Sequence, residues 1–442
     1  MPMEKMSIEM SAPVRAAAPS EGEPRASKGK ARRLAIGLLV YALVTALTLL
    51  GVDGVLIAMN LFPPRYDFGH PTVGWVSAHA TGRMAKDSCG NLATKQTVVF
   101  TRNEDAMRTT HSAQELRQNA GIFKVAVSGD SHTELCEPTE RVHFGVMERE
   151  LNSLKLQSAV FAFGAGKYSP LQAYLAVREP IQRYSADAFV LNLYTGNDFM
   201  DMLRVDDRPY LEPHGTGYRI AEPVWYQLDS PHKRRNSRVL SLMESAYEKT
   251  GLRRILLRVD YLGDIASSQN AGLLDVAAYM NDLRKASSER VEYPDAFTAQ
   301  MLNQQLFFHH FPGSREESLR RVKAVLELIR QENPNRLLVM SPVPSYQLVN
   351  RMPVDSALLE VIGRLPITHE SGVAEEFELY QAVKRMALEG GWIFVDNLPL
   401  LREYQGTEPF YNRTDYHIEP VVSEIIGKAQ ARAIASSCVR KC

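Results

Sequence analysis

The chain has 442 residues, 51 Lys and Arg against 51 Asp and Glu, and 45% hydrophobic residues. Zero net charge argues against a nucleic-acid binder, which usually carries a basic excess, and ordinary apolar and charged content excludes global disorder and collagen-like repeats. Four cysteines in this length make no disulfide scaffold and show no metal-ligand spacing, so neither a metal nor a cofactor is expected.

Residues 1–33 are rich in Ala, Pro, Ser, Glu, Lys and Arg with no apolar period, and read as a disordered cytoplasmic tail ending in Lys28, Lys30, Arg32 and Arg33. Leu34 to Val52 then runs uncharged for 19 residues. At about 1.5 Å per residue that is roughly 28 Å, close to the hydrocarbon thickness of a bilayer. A buried core helix and a cleaved signal peptide are the alternatives. The first rarely runs so long without a polar face, and the second has a shorter apolar region followed by a small-residue cleavage site. The spacing favours one uncleaved span over 34–62. The basic cluster before it predicts a cytoplasmic N-terminus and an exported body, placing the chain in the inner membrane. On that side of the membrane cysteines can pair, as Cys89–Cys136 and Cys438–Cys442, with free or partly buried thiols as the alternative.

Residues 63–120 read as a small β-rich module. Beyond it, five short runs rich in Val, Ile, Leu and Phe look like buried strands: Phe123–Ser128, Ser158–Phe163, Ala188–Tyr194, Arg336–Met340 and Trp392–Val395. Helical patterns alternate with them at Glu140–Leu151, Ser169–Tyr184, Ser314–Gln331, Ser371–Leu388 and Pro420–Ile434. Ser314 and Glu317 stand in capping-box spacing. This alternation predicts an α/β domain over 121–442 with a parallel sheet. The stretch between the third and fourth strands exceeds any single crossover, so about 203–313 is read as a large insertion. It contains the basic run Lys233-Arg234-Arg235 and a helical pattern from Val239 to Arg258.

In such sheets functional groups gather at the carboxyl ends of the strands. The first strand ends in Gly129-Asp130-Ser131-His132, which lifts a serine hydroxyl to the sheet edge ahead of a helix N-terminus. The second ends in Gly164-Ala165-Gly166, where the backbone can approach a ligand. The third ends in Gly196-Asn197-Asp198, and an Asn there can aim its amide at a developing oxyanion. After the last strand comes Asp415-Tyr416-His417, in which a carboxylate can fix an imidazole tautomer. Each element alone is weak; four in order, each after a different strand, are not.

On these four blocks the sequence resembles the SGNH, or GDSL-type, serine hydrolase superfamily over about 125–200 and 336–435. The resemblance implies a flavodoxin-like three-layer fold. It also implies Ser131 as nucleophile, His417 as base, Asp415 as the third triad member, and an oxyanion hole from Ser131, Gly166 and Asn197. Gly129, Asp130, Gly196 and Asp198 support these motifs. Two positions depart from the family pattern. Ala162 stands where the second block often has Asn, and Thr414 stands three before His417 where the acid usually lies. Some membrane-associated relatives that acetylate polysaccharides use the closer Asp spacing. The expected function is therefore an esterase or O-acyltransferase acting on ester-linked acetyl groups of an envelope or secreted glycan. Polysaccharide-synthesis proteins of the envelope are the expected partners. A non-catalytic glycan-binding scaffold and a lipid esterase are the alternatives.

Overall fold

The structure is a computed structural model that describes residues 26–58, 66–70, 73–77, 85–90, 97–204, 208–222, 278, 281, 282, 304–349, 363, 365–412 and 417–441. The chain divides into two units, Met1–Leu61 and Phe62–Cys442.

In the first unit, helix α1 spans Ala26–Ala58. Its Arg32–Val52 stretch is long and apolar enough to cross a membrane, and none of it is buried inside the protein. The helix begins within the segment expected to lack structure. Ala, Lys and Arg are strong helix formers and carry it back through the basic cluster.

The second unit opens with two antiparallel hairpins. Strand β1 (Tyr66–His70) pairs with β2 (Gly74–Ser77), and β3 (Ala85–Gly90) pairs with β4 (Thr97–Arg102). Helix α2 (Ala113–Gln118) follows, closed by a capping box between Ser112 and Glu115. Five parallel strands then form the main sheet: β5 (Phe123–Gly129), β6 (Ser158–Gly164), β7 (Ala188–Tyr194), β10 (Leu337–Val343) and β11 (Ile393–Phe394). Their spatial order is β11-β10-β7-β5-β6. Counted within this sheet, the order is 2-1-3-4-5, the doubly wound arrangement of flavodoxin-like folds. The chain reverses direction between β5 and β7, so the crevice at their carboxyl ends is where such a sheet binds ligands.

Helix α3 (Ser131–Glu134) and helix α4 (His143–Ser153) follow β5, α5 (Pro170–Arg183) follows β6, and α6 (Asp198–Asp201) follows β7. Strands β8 (Tyr210–His214) and β9 (Gly217–Ala221) make a hairpin turned on Gly215, whose φ is +60°. This hairpin and residues 304–313 belong to the expected insertion; Lys233-Arg234-Arg235 and the pattern Val239–Arg258 lie outside the described residues. Helix α7 (Ser314–Glu332) leads into β10, α8 (Tyr346–Val349) follows it, and α9 (His369–Glu389) leads into β11. Helices α10 (Asn397–Glu403) and α11 (Pro420–Lys441) complete the fold. Helix α11 packs on α4, α10 and β10, whereas α7 packs on α5 and α9, giving a helical layer on each face.

The central strands are buried along their length because both faces are covered, which is why they read as continuous apolar runs. Two local expectations need correction. Helix α7 is capped by Gly313 at φ +87°, so Ser314 is its first residue rather than a cap. Strand β10 continues three residues past Met340 through Ser341, Pro342 and Val343. The Cys136 sulfur is disulfide-bonded and Cys438 is buried, while Cys442 and the Cys89 side chain lie outside the described residues.

Candidate active site

The turn after β5 is built at the limit of steric tolerance. A Cβ on Gly164, at the end of the neighbouring strand, would lie 2.7 Å from the Asp130 carbonyl oxygen and 2.5 Å from the Glu134 nitrogen. With no side chain there, the one-turn helix α3 settles against β6. Asp130 is its N-cap: its carboxylate accepts from the His132 N–H at 2.9 Å, and its carbonyl accepts from Thr133 and Glu134 at 3.1 Å. Ser131 is the first helical residue and is partly exposed, while Asp130 and His132 on either side are buried. Its hydroxyl makes no hydrogen bond among the described residues.

The His132 ring stacks on Tyr194 from the end of β7, with centroids 3.9 Å apart. It also meets the ring of His417 edge-on at 5.2 Å. Tyr194 folds back over Gly196, where a Cβ would lie 2.6 Å from the phenol ring carbon Cζ. Gly196 is thus required by the ring that supports His132. His417 reaches this point on a short backbone ladder: Asn412 N–H donates to the His417 carbonyl and Glu419 N–H to the Phe410 carbonyl, each at 2.9 Å. Residues 413–416, and with them Thr414 and Asp415, lie outside the described residues.

The loop after β6 places Gly166 beside α3. Its N–H donates to the Glu134 carboxylate at 2.9 Å. The loop after β7 places Asn197 at the N-cap of α6, yet its side chain does not cap that helix. Its amide nitrogen instead donates to Asp201 at 2.6 Å. Asp198 accepts from the Tyr194 N–H at 2.8 Å. Residues Glu134, Tyr194 and Asp201 therefore belong to the site's surroundings although sequence reasoning passed over them. Asp201 alone had a readable signal, standing four residues after Asn197 on one helical face.

The electrostatics are those of a buried acid cluster beside imidazoles. Burial pushes the Asp130 carboxyl up to about 7, while the His132 N–H and the nearby charge of His417 pull it down. Asp198 is driven well above the usual carboxylate range by burial and by the charges of Asp130 and Asp201. Burial, with the charges of His417 and His143, holds His132 well below the ordinary imidazole range, so the ring is neutral. Among the described residues no group of three or more His, Cys, Asp or Glu is arranged to hold a metal ion.

The structure thus brings the turns bearing Ser131, Asn197 and Gly166 to the carboxyl edge of the sheet, with His417 against the ring of Ser131's neighbour. No protein-family model matches the chain, and no curated protein matches it. Solved structures similar to it include a lipase/acylhydrolase from Enterococcus faecalis, at 11% identity over 72% of this chain and 97% of that one, TM-score 0.34. The acetylxylan esterase Axe2 from Geobacillus stearothermophilus is similar at 11% identity over 71% and 94%, TM-score 0.32. The α/β hydrolase LAE5 from the metagenome of Lake Arreo, Spain, is similar at 11% identity over 73% and 98%, TM-score 0.32.

Proposed function

We propose that the chain is a membrane-anchored serine esterase or O-acyltransferase acting on ester-linked groups, acetyl foremost, of an envelope or secreted glycan. The observation that carries this reading is the meeting of His417 with the Asp130–Ser131–His132 turn at the switch point of the sheet. A partly exposed serine whose neighbour His132 meets the His417 imidazole, at the edge where a doubly wound sheet binds ligands, suits nucleophilic acyl transfer.

In this mechanism His417 takes the proton from the Ser131 hydroxyl as the oxygen attacks the ester carbonyl. The carbonyl π electrons move onto oxygen, and the resulting oxyanion faces the Ser131 N–H at the start of α3 and the Asn197 amide. Collapse expels the alkoxide, which takes the proton back from His417 and leaves acyl-Ser131. Water or a sugar hydroxyl then attacks with the same base, giving hydrolysis or transfer. Asp415, two residues before His417, is the carboxylate assigned to orient it, and Gly166 joins the oxyanion hole when Glu134 releases its N–H. His132, held neutral, adds no charge beside the imidazolium that forms on His417.

The span of α1 supports a membrane anchor, and the basic residues preceding it support a cytoplasmic N-terminus. The disulfide at Cys136 supports a location outside the reducing cytoplasm.

Ser131→Ala is expected to lower hydrolysis of p-nitrophenyl acetate by about 10⁴-fold or more. Its thermal unfolding should match the wild type, and undiminished turnover would overturn the assignment. A second reading, a non-catalytic glycan-binding domain, is favoured by one observation: the Gly166 N–H is already engaged by Glu134. Failure of the wild type to label at Ser131 with a fluorophosphonate would support it.

A further inference from the structure

The Asn197 amide is held by a buried ion-pair system. Asp201 accepts from Asn197 Nδ2 through Oδ2, and its other oxygen, Oδ1, pairs with Arg204 at 3.0 Å and Arg208 at 3.1 Å. Asp201 and Arg208 are each 1% exposed. Nη1 of Arg208 also donates to the Lys167 carbonyl at 2.9 Å, in the loop that carries Gly166. One guanidinium therefore ties the loop after β6 to the helix after β7, the two segments that bear Gly166 and Asn197.

A carboxamide is planar and its nitrogen carries two hydrogens. Fixing one of them on Asp201 fixes the direction of the other. A donor aligned before the reaction needs no reorganisation as charge develops, which is the physical basis of oxyanion stabilisation. An ordinary N-cap Asn would turn its side chain down onto its own helix, using its oxygen to accept from a backbone N–H. Here that cap is not made, and the amide nitrogen is held instead by the carboxylate of Asp201, four positions on.

We propose that Asp201, clamped by Arg204 and Arg208, is a positioning residue that sets the direction of the Asn197 amide, and that Arg208 locks the Gly166 and Asn197 loops in register. This rests on the esterase reading for its catalytic consequence, while the tie itself is a property of the fold. Asp201 touches no reacting atom and acts through Asn197.

The experiment uses the full-length chain in detergent and a double-mutant cycle. Asp201→Asn is nearly isosteric and keeps an oxygen in place. It is expected to lower kcat for p-nitrophenyl acetate by about 10- to 100-fold, less than complete loss of the donor, with little change in KM. In an Asn197→Ala background the same substitution should cost less than about twofold, because the group it positions is gone. An equal loss in both backgrounds, or no loss in either, overturns the proposal. If Asp201→Asn does not fold, the same cycle with Arg208→Lys decides, since that variant keeps the charge and loses the guanidinium fork.

A readout independent of turnover is the side-chain amide signal of Asn197 under selective ¹⁵N labelling. One proton should be shifted downfield in the wild type and not in the variant. Absence of that shift in the wild type overturns the tie. Its presence in a chain whose Ser131→Ala variant turns over like wild type keeps the tie and overturns the esterase reading instead.

Discussion

Strands β5 and β7 both run into a one-turn helix of four residues at the switch point, each preceded by an Asp or Asn at the N-cap. After β5, the Asp130 carboxylate does what such a residue ordinarily does and accepts a backbone N–H of its own helix. After β7, Asn197 declines that bond and gives its amide to Asp201. One plan thus yields a side chain committed to capping its helix and a side chain kept free of that cap. The difference lies in the neighbours, since the Asn197 side chain has a buried, arginine-clamped carboxylate to hold it.

Removing the committed and the kept side chain should therefore act on different observables. Asn197→Ala is expected to reduce kcat by about 10²- to 10³-fold, a barrier increase of about 3–4 kcal/mol, with little loss of stability. Steady-state kinetics beside thermal unfolding checks this. A large drop in melting temperature would place Asn197 with Asp130 as a structural cap. Gly164→Ala attacks the β5 turn from behind and should destabilise the fold by about 3 kcal/mol through its clash with Asp130 and Glu134, measured by urea denaturation.

Asp130→Asn keeps the cap and removes the acid, so its effect is one of pH. Burial raises the Asp130 carboxyl from 3.8 to about 7, and the folded state holds a proton that the unfolded chain releases. The associated stability is complete below about pH 4 and is lost as the pH rises to about 7. His132 and His143 act oppositely: burial holds both neutral, His143 down to about 3, so they favour folding as pH rises. The difference between variant and wild type isolates Asp130, and Asp130→Asn should gain on wild type across that interval. Parallel stability profiles would remove the carboxyl from the linkage. The smallest effect belongs to an ordinary helix cap: Ser169→Ala, which opens the Ser169–Gln172 capping box of α5, should cost about 1 kcal/mol of stability in urea denaturation.

Most of the sheet was legible because strands covered on both faces leave apolar runs, and β7 matches its predicted bounds. The last three residues of β10 were not, since Ser341 and Pro342 carry a polar group and a missing donor that speak against a strand. Ser314 failed as a cap because Gly313 adopts the left-handed conformation there and takes the position. Of the site, the chain order of Ser131, Asn197 and His417 could be read, because each follows its own strand or leads into the final helix. What could not be read is who holds whom. Glu134 reaches Gly166 across 32 positions, and Arg208 reaches Lys167 across 41. Such pairings depend on the tertiary path of loops and have no spacing rule. Asp415 lies outside the described residues, so the triad acid stays a proposal from sequence.

Strand β11 has only two residues, and its pairing with β10 reaches no further than Met340. Beyond that point the outer margin of β10 carries Pro342, whose carbonyl accepts from the Asn397 side chain at 2.7 Å. A residue in an extended strand points its nitrogen and carbonyl to the same side, so the donor that proline lacks is missing from the outer side, and pairing with β7 is undisturbed. This stretch of β10 is thereby closed without another strand: a second chain approaching it finds no N–H at Pro342, and a carboxamide already on its oxygen. That closed margin guards against strand-to-strand aggregation.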